Sequence, residues 1–185
     1  MSIVLVGSTS GSITLQEPAV AGTTVLTLPA VSGTILTTGS PQSGGVIQVV
    51  NVDYGTEVSS SSSTFADTGL TATITPKFST SKILVMVTQA GCAKQDNNTA
   101  FQLRLLRSST TILNMEDIAG STGTSTSNFF GACSAIYLDS PATTSATTYK
   151  TQFASRANTS AVVVQGYGSN SGFARSTITL MEIAA

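Results

Sequence analysis

The chain has 185 residues and a formal charge of −1; 9% of residues are charged and 41% hydrophobic. Serine, threonine and glycine replace the charge of an average soluble domain, which is about 25% charged, while the apolar content is too high for a disordered chain. The near-neutral balance gives no field to attract a nucleic-acid backbone, and the absence of histidine removes the commonest general base, triad partner and metal ligand.

The opening Met1–Gly7 has no basic region and only a four-residue apolar run, so no signal peptide is expected. No apolar run approaches the roughly 18–20 residues of a membrane helix. The expectation is synthesis in the cytoplasm without membrane insertion. The run Ile3, Val4, Leu5 and Val6 is instead a candidate attachment strand, able to extend a sheet of another protein by β-augmentation. Residues 13–34 contain a repeat: ITLQEPAVAGT is followed by TVLTLPAVSGT, and a third start, ILTTG, comes next. Strand-forming threonine, valine and leucine are punctuated by proline and glycine at fixed offsets. Two such units are too few to stack within one chain, so other chains are the expected partners. The polar, glycine-rich stretch Gly39–Gly45 reads as a boundary between an N-terminal stem, residues 1–44, and a C-terminal domain, residues 45–185.

From there strands recur at short spacing. Val46–Val52 is the first, and the serine run Ser59–Ser63 reads as a surface loop. Leu70–Thr75 alternates with period two and ends at Pro76. Lys82–Thr88 is almost wholly apolar. A strand of that kind is covered on both faces, so one face of Ile83–Val87 is expected on the core and the other on a neighbouring subunit, with Val85 or Met86 as the subunit-facing residue. Gln95–Asn98 reads as a turn. Phe101–Leu105 and Thr110–Met115 are joined by a tight turn at Ser108-Ser109. A polar loop at Ser121–Ser127 precedes Phe129–Leu138. Residues 149–153 alternate again, and Ala161–Val164 and Arg175–Ile183 complete the series around a glycine-rich loop at 166–172. No segment holds a helical period. The pattern is that of an all-β, antiparallel, jelly-roll-like β-sandwich.

The residues offer little for catalysis. Cys92 and Cys133 sit among small apolar neighbours and read as buried, reduced thiols. Glu116 and Asp117 are adjacent, so on a strand they point to opposite faces. Asp53 and Glu57 flank Tyr54-Gly55; a glycosidase would need two carboxyls about 5–10 Å apart. Asp96-Asn97-Asn98 lacks the remaining spacing of a calcium loop, and no phosphate-binding glycine motif is present. The expectation is a non-enzyme with no catalytic residues, no metal and no cofactor.

Ile13–Gly39, ITLQEPAVAGTTVLTLPAVSGTILTTG, resembles a segment near the N-termini of tailed-bacteriophage fibre and appendage proteins. The ending Ser176–Ile183, STITLMEI, is similar to the last strand of phage fibre-tip domains. The resemblance implies a homotrimeric virion-surface appendage whose stem binds other virion proteins and whose C-terminal domain faces outward as a knob. It leaves tail and head open. One reading is a fibre that contacts host-surface glycans, with Tyr167 and Phe173 beside the 166–172 loop as candidate contact residues; the alternative for these rings is packing beneath the loop. A second reading is a decoration or cement protein of the head shell. A more remote third is a cellular trimeric jelly-roll binding domain.

Overall fold

Period-two alternation of apolar and polar side chains builds sheets whenever a second layer is present to cover the apolar face, and it does so here. The computed structural model describes residues 2–6, 9–16, 30, 39, 41–96, 98–122, 127–157, 160–166 and 173–185. Among them every regular element is a strand, and no helix is long and apolar enough to cross a membrane. The chain divides into two compact units, Met1–Ile35 and Leu36–Ala185.

The first unit contains a hairpin of β1 (Ser2–Val6) and β2 (Ser12–Gln16). The strands are antiparallel, with Ile3 opposite Leu15 and Leu5 opposite Ile13. The candidate attachment run is therefore a strand already paired along one edge. Val4 and Val6 are 53% and 80% exposed; the side chains of Ile3 and Leu5 lie outside the described part. A lone two-stranded hairpin is marginally stable in water at best. Beyond β2, only Ala30 of the 13–34 repeat lies within the described residues.

The second unit is an antiparallel β-sandwich. Its strands are β3 (Val46–Tyr54), β4 (Val58–Ser60), β5 (Ala66–Ile74), β6 (Lys82–Lys94), β7 (Phe101–Arg107), β8 (Thr110–Ala119), β9 (Asn128–Asp139), β10 (Thr147–Ser155), β11 (Val162–Val164) and β12 (Ser176–Ile183). One sheet has the order β5-β10-β7-β8. The other runs β3-β12-β6-β11-β4, with β9 also on β6. The 13-residue β6 organises this larger sheet. One edge is paired by β12 along Lys82–Thr88 and by β11 at Ala93 and Lys94, and the opposite edge by β9. Gly44 and Gly45 belong with the sandwich, since Gly44 N–H donates to Ala184 O at 2.8 Å and Ala184 N–H donates to Gly45 O at 2.9 Å.

Two expectations need correction. Ser59 and Ser60 are not loop; they lie in β4, where the main chain pairs with Val162 and Val163. Val85 does not face a neighbour. It is fully buried with Ile83 and Val87 in the core, and the half-buried Leu84 and Met86 take the outward side. Alternation leaves no other choice once one face is fixed.

The core has two apolar clusters. In one, Leu70, Ala72, Ile74, Leu105 and Tyr149 of the smaller sheet meet Ile83, Val85, Val87, Ile178 and Leu180 of the larger. In the other, Phe101, Leu103 and Phe153 meet Cys92, Cys133, Val162 and Val164. Each fully buried large side chain is worth roughly 1.5–3 kcal/mol. A buried polar chain runs between the sheets: Thr151 and Gln89, which on β10 and β6 lie between residues of the two clusters, are joined by Thr68 of β5 and Ser176 of β12, each 0% exposed. Leu70 N–H donates to Thr68 Oγ1, and the Thr68 and Thr151 hydroxyls are 2.6 Å apart. Thr151 Oγ1 donates to Gln89 Oε1, and Gln89 Nε2 donates to Ser176 Oγ, both at 2.8 Å.

Candidate interaction faces

With the inner faces committed to the core, the sandwich offers its two outer faces and its loop ends. The outer face of the four-stranded sheet is polar because the alternate positions of β5, β10 and β7 are threonine, glutamine, lysine, arginine and aspartate. Lys150 Nζ lies 2.8 Å from Asp67 Oδ1. Gln152 Nε2 donates to Asp67 Oδ1 at 2.7 Å, and Arg104 donates through Nε and Nη2 to Gln152 Oε1 at 3.1 and 2.6 Å. The Arg104 guanidinium stands 4.0 Å over the Phe65 ring. Partial burial pushes the Asp67 carboxyl up, but hydrogen bonds from Lys150 and Gln152 and the lysine charge outweigh it and hold the group below its ordinary value.

Beside this network opens a cleft of about 410 Å³, lined by Asp67, Gly69, Leu70, Thr71, Ser108, Thr148 and Lys150. A register shift shapes it: Lys150 pairs with Thr71, but Gln152 pairs with Asp67, so β5 bulges between them. Gly69 sits in that bulge at φ +87°, with the Tyr54 ring where a Cβ would be. Asp67 is the one carboxylate lining the cleft and is ion-paired, so the cleft lacks two carboxyls for acid–base work. Hydroxyls, one ammonium and one carboxylate suit a polyhydroxylated ligand.

At one end of the sandwich, a second cleft of about 400 Å³ is lined by Asn98, Thr99, Ala100, Ser121, Thr122, Arg156 and Ala157. It brings Asn98, from the predicted turn at Gln95–Asn98, together with Ser121 and Thr122, from the start of the predicted polar loop at Ser121–Ser127. Phe173 is 90% exposed. Tyr167, with the whole of 167–172, lies outside the described residues.

The outer face of the larger sheet is different. Strand register places Val49, Met181, Leu84 and Leu138 in one row across β3, β12, β6 and β9. The next row is Asn51, Thr179, Met86 and Ile136, and the one after is Asp53, Thr177, Thr88 and Ser134. Val49, Leu138 and Ile136 are 53%, 56% and 72% exposed. The face thus grades from apolar to hydroxyl-bearing, with charge confined to its rim.

Several other titratable groups make structural contacts. Asp139 accepts from Arg107 Nη1 at 2.8 Å and from Tyr149 Oη at 2.7 Å, a bridge between the sheets. Burial and then the Asp139 carboxylate push the Tyr149 hydroxyl well above its ordinary value. Cys92 and Cys133 are buried, unbridged and neighbours in one cluster. The Cys133 sulfur and then burial drive the Cys92 thiol upward, which keeps it protonated and inert. Glu116 and Asp117 occupy β8 on opposite faces, and Asp96 accepts from Ala161 N–H as part of a turn. Among the described residues no cluster of three or more histidine, cysteine or carboxylate side chains could hold a metal.

No protein-family model matches the sequence, and no curated protein matches it. Among solved structures the chain is similar to VP2 of infectious bursal disease virus in a subviral particle, at 12% identity and a TM-score of 0.40, over 87% of this chain and 43% of that one. T=1 particles derived from the same virus give 12% identity and a TM-score of 0.40 over 95% and 43%. The Gt strain gives 14% and 0.35 over 98% and 46%. The chain spans less than half the length of those chains. A likeness of this degree assigns neither family nor function, and the architecture stands on the strand pairing itself.

Proposed function

We propose that this chain is a non-enzymatic structural protein of a tailed-phage virion, a homotrimeric fibre whose residues 1–44 attach to the particle and whose β-sandwich faces outward and contributes to binding a host-surface glycan. The phage reading rests on the resemblance of Ile13–Gly39. The binding reading is carried by one observation: the hydroxyl-rich cleft beside Asp67 and Lys150, on a face with no carboxylate pair for hydrolysis. A shallow site of this kind binds weakly, at about millimolar Kd or about 4 kcal/mol. Three sites per trimer and many trimers per particle raise the avidity by orders of magnitude.

Adsorption of particles to host cells tests the reading. Lys150→Ala and Phe173→Ala, together with Tyr167→Ala, are expected to reduce adsorption strongly while the thermal midpoint of the purified protein moves little. Unchanged adsorption rejects the glycan role. The exposed Val4 and Val6 of β1 favour a second reading, a decoration protein that lays this strand against the head shell. Particles lacking the protein would then adsorb normally but lose shell strength on heating.

A further inference from the structure

The outer face of the larger sheet carries an uncovered apolar surface. Val49, Met181, Leu84 and Leu138 form one cross-strand row, Met86 and Ile136 extend it, and Val46 and Ile183 flank it at the next pairing. Val46 is 55% exposed, in line with its neighbours. Monomers rarely leave contiguous apolar patches larger than a few hundred Å² in water. Beside the patch, β9 is a 12-residue strand whose main chain, among the described residues, pairs with β6 alone. A long edge strand bearing exposed Ile136 and Leu138 is an open template for association unless something covers it.

We propose that this face, formed by β3, β12, β6 and β9, is where copies of this chain meet, with Ile136 and Leu138 at the centre of the contact. The inference rests on the homotrimer reading above and supplies the surface for it. Two observations favour a second copy over another occupant. The first is area. Four strands at about 4.8 Å spacing and about eight residues at roughly 3.3 Å rise give a flat footprint on the order of 500 Å². Side chains standing off the sheet enlarge the accessible area toward the about 800 Å² per partner of a standard interface. The second is charge. The centre of the face carries none, and at the rim Asp53 is ion-paired with Arg175, while Lys82 Nζ keeps its charge and donates to the Ser140 hydroxyl at 2.8 Å. Three copies can therefore turn the uncharged centre of this face toward a shared axis, with Lys82 left at the rim. The polar face across the sandwich stays free for ligand.

Light scattering of the full-length chain at micromolar concentration tests this. The wild type is expected at the mass of a trimer. Ile136→Glu/Leu138→Glu is expected at the mass of a monomer with an unchanged far-ultraviolet circular dichroism spectrum, and Thr71→Glu on the opposite face is expected to remain trimeric. A trimeric wild type with a folded, equally trimeric Ile136→Glu/Leu138→Glu variant overturns the surface and leaves the trimer standing. A monomeric wild type overturns the trimer reading and this surface together. If the double variant loses the strand spectrum, Ile136→Glu alone decides, because that side chain is 72% exposed and its substitution does not disturb the core.

Discussion

Thr151 Oγ1 donates a hydrogen bond to Gln89 Oε1 at 2.8 Å, joining β10, an inner strand of the smaller sheet, to β6 of the larger one through the interior of the sandwich. Both side chains are 0% exposed. Buried polar atoms that lose a partner cost about 1–3 kcal/mol each. Thr151→Val keeps the shape and strands the Gln89 carbonyl, so it should destabilise the protein by about that amount in urea unfolding. Gln89→Leu should cost a similar amount. The double variant should cost less than the two single changes added together, because one orphaned atom disappears with its former partner. Strict additivity would mean that the two groups do not interact.

The two sides of β6 carry opposite expectations for folding. Val85→Asp places a carboxylate in the core among Ile83, Val87 and Leu180. That costs several kcal/mol unpaired, a large part of the about 5–15 kcal/mol that holds a domain together. The expected outcome is loss of the cooperative thermal transition. Met86→Asp faces outward and should keep that transition. A folded Val85→Asp protein would contradict the assignment of faces.

What could be read from the sequence follows this division. Alternation at Leu70–Thr75, Phe101–Leu105 and residues 149–153 marks strands and the sandwich, because one buried face imposes period two. It could not orient Ile83–Val87, where both alternating sets are apolar and only the register with β12 and β9 decides which set is inside. The serine run at 59–63 reads as loop by composition, but β11 supplies a partner for Ser59 and Ser60 from a hundred residues further on, as Val163 and Val162. The Asp67–Lys150 pair and the cleft beside it were not legible either: 83 positions separate the two residues, and nothing local in either strand names the other.

Cys92 and Cys133 are 1% and 6% exposed. A thiol reagent such as an aromatic disulfide should label neither in the native protein at neutral pH and both after unfolding in guanidinium. Burial removes access at both, and at Cys92 the neighbouring Cys133 sulfur and burial also suppress the thiolate. Rapid native labelling of either would show that this end of the core opens readily.

Glu182 points inward from β12 at 0% exposure. Burial pushes its carboxyl up, but Gln48 Nε2, at 2.5 Å, and the N–H groups of Lys77 and Phe78 outweigh this and hold it below the ordinary 4.5. With the native value depressed, the unfolded chain binds more protons. The carboxylate therefore contributes stability that is complete above about pH 4.5 and is lost as pH falls through the lower native value. Glu182→Gln should be less stable at pH 7 by an amount that holds down to about pH 4.5, and the gap between variant and wild type should narrow only on acidification below about pH 4.5. A gap independent of pH would indicate that the carboxylate charge contributes nothing.

Gly69 and Gly131 share a left-handed backbone, at φ +87° and +85°, yet their surroundings differ. A Cβ on Gly69 would lie 2.2 Å from Cε1 of Tyr54, whereas a Cβ on Gly131 meets nothing within 4 Å. The backbone strain of an L-residue in this region is common to both, about 1–2 kcal/mol. Gly131→Ala should cost that and no more. Gly69→Ala must also displace the Tyr54 ring, which packs against the main core cluster, and overpacking of this kind adds about 1–3 kcal/mol. Thermal unfolding of the two variants should therefore rank Gly69→Ala well below Gly131→Ala. Because Gly69 lines the cleft beside Asp67, moving the bulge should also weaken adsorption, an effect that Gly131→Ala should lack. Equal midpoints for the two variants would mean that Tyr54 yields without cost, and the bulge would then owe its shape to the backbone of β5 alone.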